Sequence, residues 1–127
     1  MALEYQICTD ATALDIEFNR MVKEACMGKQ GIVSVNETKL FEFPDFDQCI
    51  NLRIDKFNSN EQGMLWGSYN AYKIASDFCE QLDYNISLVF NYEVEMVKKT
   101  SEGIIFPSDK EWALNHLVKP YGFFKNI

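Results

Sequence analysis

Apolar and polar positions alternate in two different periods along this chain, and the switches between them outline the fold. Leu3, Tyr5 and Ile7 alternate with Glu4, Gln6 and Cys8, a period of two that predicts a half-buried strand. The period then lengthens. Leu14, Phe18, Met21, Val22 and Ala25 fall at i, i+4, i+7, i+8 and i+11, one face of a helix. Thr12-Ala13-Leu14-Asp15 resembles a capping box, Asp10 competes with it as the cap, and Gly28 suits a left-handed C-terminal stop. Three strands are expected next: Ile32–Val35, a run through Leu40, Phe41 and Phe43, and Cys49–Phe57. Asn36-Glu37 reads as the turn between the first two, and Pro44-Asp45 stops the second.

Ser59 with Gln62 three residues later offers a second capping box, opening a helix to about Leu82. Ala71, Ile74, Phe78 and Leu82 form its apolar stripe, with Trp66 and Tyr69 on a neighbouring face. Gly63 and Gly67 each cost roughly 1 kcal/mol against alanine inside a helix, so they mark a frayed first turn or a close approach to the sheet. Asp83-Tyr84-Asn85 breaks the pattern. Ile86–Phe90 pairs with a strand from Val94 through a turn near Asn91-Tyr92, and Ile104–Phe106 follows the turn at Thr100–Gly103. Ser108-Asp109 caps a last helical turn carrying Trp112 and Leu114, and the tail from Lys119 to Phe124 has no clear period. The class expected is α+β: a mostly antiparallel sheet of about six to seven strands with two main helices on one face, in the order β-α-β-β-β-α-β-β-β. The whole of 1–127 reads as a single domain.

Composition narrows the chemistry. Ten Phe, six Tyr and two Trp supply a core that needs no crosslinks. Cys8, Cys26, Cys49 and Cys79 are widely spaced, form no C-x-x-C pair, and read as buried reduced thiols. No apolar run approaches the roughly 20 residues of a membrane helix. Met1-Ala2-Leu3-Glu4 lacks the basic and apolar regions of a secretion signal, so cytoplasmic residence is expected. A net charge of −7 disfavours nucleic acid and anionic lipid, and favours encounter with a basic protein. No phosphate loop, nucleophile constellation or metal-ligand spacing is present, so neither a cofactor nor catalysis is expected.

Short stretches also resemble a known family. Met1-Ala2-Leu3-Glu4-Tyr5, Ile50-Asn51-Leu52-Arg53-Ile54-Asp55-Lys56-Phe57 and Leu88-Val89-Phe90-Asn91-Tyr92-Glu93 are similar to segments of immunity proteins for bacterial polymorphic toxins. These are of the swarmer-inhibition type, in which a toxin passed between sibling cells is neutralised by a cognate small protein. Tyr92 stands where that family's hairpin would place Gly. The resemblance implies a scaffold and a protein partner, a toxin domain, and carries over no catalytic residue; the acidity of the chain suits a basic partner such as a nuclease toxin.

Two acidic segments are therefore candidate partner-binding sites. Glu37, Glu42, Asp45 and Asp47 are interleaved with Phe41, Phe43 and Phe46; carboxylates beside aromatic anchors suit a basic surface, whereas the plainer reading puts the phenylalanines in the core and the acids in water. Asp77, Glu80, Asp83, Glu93 and Glu95 form one negative patch if the second helix adjoins the hairpin, and otherwise a solvated face. His116 as a general base, Asp45 with Asp47 as a metal pair, and Trp66, Tyr69 and Tyr72 as a ligand groove are weaker than their structural alternatives. The leading expectation is a monomeric immunity protein that binds without chemistry. An acidic secretion chaperone, which would be a dimer, is the alternative, followed by a small-ligand carrier or enzyme.

Overall fold

A computed structural model describes residues 3–10, 17–55, 60–108 and 111–124, with 60–64 described by their backbone alone. The elements are β1 (Leu3–Thr9), α1 (Phe18–Cys26), β2 (Ile32–Thr38), β3 (Gln48–Ile54), α2 (Asn60–Gln81), β4 (Ile86–Phe90), β5 (Val94–Thr100), β6 (Gly103–Ile105) and α3 (Glu111–Ala113), which runs on into a π-helical turn at Leu114–Val118. Among the described residues six strands form one sheet in the order β2-β3-β1-β4-β5-β6, every neighbouring pair antiparallel. The α+β class is as expected.

The helices cover one face. Tyr5 and Ile7 of β1, Ile50, Leu52 and Ile54 of β3, and Ile86 and Leu88 of β4 meet Phe18, Val22 and Cys26 of α1 and Ala71, Tyr72, Ala75 and Phe78 of α2 in one core. Phe18 and Phe78 join the helices, their rings 5.8 Å apart. Gly28 has φ +72°, the left-handed stop its position predicts. The capping boxes at Thr12–Asp15 and at Ser59, together with Leu14 and Phe57, lie outside the described residues. Lys99 Nζ donates to the Leu82 carbonyl, placing a cation on the orphan acceptors at the C-terminal end of α2.

Three local expectations are corrected. Asn36-Glu37 is not a turn: both residues belong to β2, paired with Asn51 and Ile50 of β3. Leu40–Phe43 is not a strand, so among the described residues two strands rather than three separate the helices. With β2 already extended to Thr38, the chain returns to β3 through residues 39–47, which fold across the back of the sheet. Two successive turns, Phe43 N–H to Leu40 carbonyl and Phe46 N–H to Phe43 carbonyl at 3.2 Å each, bring Leu40, Phe43 and Phe46 to one side. The third correction follows from the second. β1 is buried on both faces, not one, because Leu40, Phe43, Phe46 and Tyr92 pack over Cys8, Cys49 and Val89.

The β4–β5 hairpin accommodates Tyr92 in place of glycine. Asn91 and Tyr92 have φ +49° and +66°, and the Glu93 N–H bonds the Phe90 carbonyl at 3.2 Å, a type I′ turn. Tertiary contacts hold the tyrosine there: its N–H donates to Gln6 Oε1 at 2.8 Å, and its ring packs with the back-face cluster.

Candidate protein-binding surface

Residues 39–47 create the most distinctive surface of the molecule. Leu40, Phe43 and Phe46 turn inward, and Phe43 stacks on Phe46 at 5.9 Å. Phe41 cannot follow them, because it lies on the other side of the same turns, and 89% of it is exposed. Glu42, next to it in the chain, and Asp45, in the same loop, are exposed as well. Behind them, between the loop and the back of β4 and β5, lies a depression of about 490 Å³ lined by Asp10, Glu42, Phe43, Pro44, Asp45, Phe46, Asn85, Glu95, Lys98 and Thr100. Four carboxylates thus face one ammonium over an aromatic floor.

The sheet register explains this convergence. Glu95 opposes Val89 and Lys98 opposes Ser87, and both point to the back face. Ser87 Oγ donates to Glu95 Oε2 at 2.5 Å, which holds the carboxylate against the sheet. Asp10 follows β1, where β4 brings Asn85 alongside; Asn85 Nδ2 donates to Asp10 Oδ2 at 2.6 Å. A second depression of about 460 Å³ shares Asn85 and Thr100 with the first and is lined also by Glu80, Asp83 and Glu102. Acidic groups therefore border two adjoining concavities at one end of the sheet.

The predicted acids are sorted by this geometry. Glu42, Asp45 and Glu95 come together with Phe46 in the first depression, and Glu80 and Asp83 line its neighbour. Glu37 lies on the helix side of the sheet, accepting from Asn19 Nδ2 at 3.1 Å and paired with Lys23 at 3.5 Å. Asp77 is paired with Lys73 at 2.8 Å. Asp47 is exposed and lines neither depression, and Glu93 sits in the hairpin turn, separated from Asn85 by the length of β4. The helix-and-hairpin patch therefore does not form as one unit. Asp10 and Glu102 were missed; nothing in their sequence neighbourhood marks them, since strand pairing and a turn place them.

The remaining candidates have structural explanations. Tyr72 is buried in the core, where burial raises its phenol pKa, and it meets Tyr5 edge-on at 5.7 Å. Trp66 and Tyr69 contact each other edge-on at 5.7 Å on the helix surface. His116 is exposed, stacked on Trp112 at 5.2 Å with Nδ1 3.0 Å from the Trp112 carbonyl. Among the described residues no group of three or more His, Cys, Asp or Glu is arranged to hold a metal ion, and no helix is long and apolar enough to cross a membrane.

Gln6 stiffens the sheet beneath the loop. It is fully buried, its Nε2 donates to Asn51 Oδ1 at 2.7 Å, and Asn51 Nδ2 donates to Glu4 Oε1 at 3.2 Å. Tyr92 joins this network at Glu4 and Thr38; burial and the Glu4 carboxylate push its phenol up. The arrangement presents a rigid floor, an acidic wall and one projecting aromatic ring. No family model, curated protein or solved structure matches the chain.

Proposed function

We propose that this protein is an immunity-type inhibitor that binds a cognate basic toxin domain through the 39–47 loop and the acidic depression behind it. No bond is made or broken. The observation that carries the reading is Phe41, a large apolar side chain 89% exposed in a loop that also exposes Glu42 and Asp45. Leaving such a ring in water forfeits roughly 2 kcal/mol of burial, a loss recovered when a partner's pocket accepts it. Interfaces concentrate their energy in aromatic anchors of this kind, and surrounding charges set orientation and encounter rate. Asp10, Glu42, Asp45 and Glu95 supply the complement to Arg and Lys on a surface that itself attracts phosphate. The overall charge of −7 acts in the same direction. The same reading takes the protein to be a cytoplasmic monomer.

The test is co-expression with the product of the neighbouring reading frame. A complex is expected whose association rate falls as salt rises, and Phe41→Ala should weaken it at least about tenfold, roughly 1.4 kcal/mol. Glu42→Gln with Asp45→Asn should slow association more than it speeds dissociation. A complex that forms at a salt-independent rate and tolerates Phe41→Ala would remove this surface from the function. A stable dimer in sedimentation would move the weight to a chaperone.

A further inference from the structure

β1 and β3 place Cys8 directly opposite Cys49. Glu4 decides which kind of pair this is. Its N–H donates to Asn91 Oδ1 at 2.9 Å and its carbonyl accepts from the Asn91 N–H at 2.8 Å, so its main-chain groups point toward the β4 side. That direction alternates along a strand, so the main-chain groups of Gln6 and Cys8 point the same way, away from β3. Cys8 and Cys49 are therefore a non-hydrogen-bonded pair, the kind whose opposed Cα atoms approach to about 4.5 Å with their side chains closest. The preceding pair of this kind makes a direct contact, Gln6 Nε2 to Asn51 Oδ1 at 2.7 Å. A Cα separation of about 4.5 Å lies within the range of about 4.4–6.8 Å that a disulfide spans.

We propose that Cys8 and Cys49 are a disulfide-forming pair whose access is controlled by the 39–47 loop. With the loop closed, neither thiol reacts. Both are buried beneath Leu40, Phe43 and Phe46. Burial, reinforced by the adjacent Cys49 and by Glu95, pushes the Cys8 thiol up and keeps the thiolate scarce. The loop can lift without opening the sheet, because residues 39–47 contribute no strand and are held by turns and inward side chains. Once it lifts, a low-molecular-weight disulfide completes the chemistry. One cysteine thiolate attacks a sulfur of the reagent and expels a thiolate, leaving a mixed disulfide. The second cysteine thiolate attacks the protein-bound sulfur and expels the other. Two electrons pass from the pair to the reagent, and the two protons end on the released thiols. Cys26 and Cys79 lie on α1 and α2 in the opposite core and serve as internal controls. The inference is independent of the partner proposed above.

The experiment treats the full chain with oxidised glutathione, blocks free thiols with iodoacetamide under denaturing conditions, and maps the digest by mass spectrometry. One Cys8–Cys49 crosslink is expected, with Cys26 and Cys79 alkylated. Leu40→Ala should speed crosslinking at least about tenfold, because the loop loses its buried anchor. Cys49→Ser should stop at glutathionylated Cys8 when combined with Leu40→Ala. A crosslink through Cys26 or Cys79, or no crosslink in Leu40→Ala, would overturn the pairing. An unchanged rate in Leu40→Ala would overturn the control by the loop.

Discussion

Gly67 sits inside α2, where helix propensity alone favours alanine, and the structure shows the close approach to the sheet that was one of the two expectations for it. A Cβ at this position would lie 2.4 Å from Ile54 Cγ2, 2.7 Å from the Gly31 carbonyl oxygen and 3.0 Å from Ile54 Cδ1. The Ile54 side chain is itself buried, and the Gly31 oxygen already accepts the Asp55 N–H at 2.8 Å. Neither neighbour yields cheaply, because one is core and the other is hydrogen-bonded main chain. Asn70 Nδ2, one turn further along α2, donates to the Gln30 carbonyl at 2.8 Å and ties the helix to the same loop. Gly67→Ala gains about 1 kcal/mol of helix propensity. Overpacking typically costs about 1–3 kcal/mol, and a contact with a main-chain carbonyl belongs at or above the upper end. The expected net loss is about 2 kcal/mol, a fall in Tm of roughly 8 °C for a chain of this size. Thermal unfolding followed by circular dichroism reads it directly. A double-mutant cycle with Ile54→Ala should show a coupling above about 0.5 kcal/mol, since removing the isoleucine clears the nearest obstruction. A Tm for Gly67→Ala equal to or above that of the unmodified protein would refute the close approach of α2 to the β2 entry.

Three other outcomes are expected. Gln6→Leu should lower stability to urea by about 2–4 kcal/mol, because it strands Asn51 Oδ1 and the Tyr92 N–H without their present partner; a change below about 0.5 kcal/mol would mean the network contributes nothing. Burial pushes the Cys26 and Cys79 thiols from their ordinary value of 9.0 up to about 12, so the unfolded chain releases these protons first. Stability should therefore be intact below pH 9 and fall from pH 9 toward 12, by about 1.4 kcal/mol per pH unit for each thiol, and a flat alkaline profile in urea titrations would contradict it. Phe41→Ala, in contrast, should leave the Tm unchanged to within about 0.5 kcal/mol, as its ring packs on little of its own molecule; a large drop would show that Phe41 is structural.

The strands that alternate in period two and the helix with a clear apolar stripe were legible because each periodicity is a local property of the chain. β1, β4 and α2 emerge close to their expected bounds, and the left-handed stop at Gly28 follows from its position alone. Residues 39–47 depart from the expected strand for an identifiable reason. Phe41 and Phe43 carry strand propensity, but packing of Leu40, Phe43 and Phe46 over Cys8 and Val89 wins over pairing at the open edge of β2. The candidate surface was half legible. Glu42, Asp45 and Phe46 lie in one candidate segment and Glu95 in the other, and the fold brings them together, while Glu37 and Asp77 are drawn off into ion pairs.

What the sequence determined by itself is the class of the fold, the positions of most elements and the excess of negative charge, because periodicity and composition need no knowledge of distant contacts. Tertiary structure alone decided which acids converge, why Phe41 projects while Phe43 does not, and that Cys8 faces Cys49 across a ladder. The placing of Glu95 and the Cys8–Cys49 pairing depend on strand register, and in a sheet a one-residue change of register moves every side chain to the other face, while the projection of Phe41 follows from the turns through Leu40–Phe46.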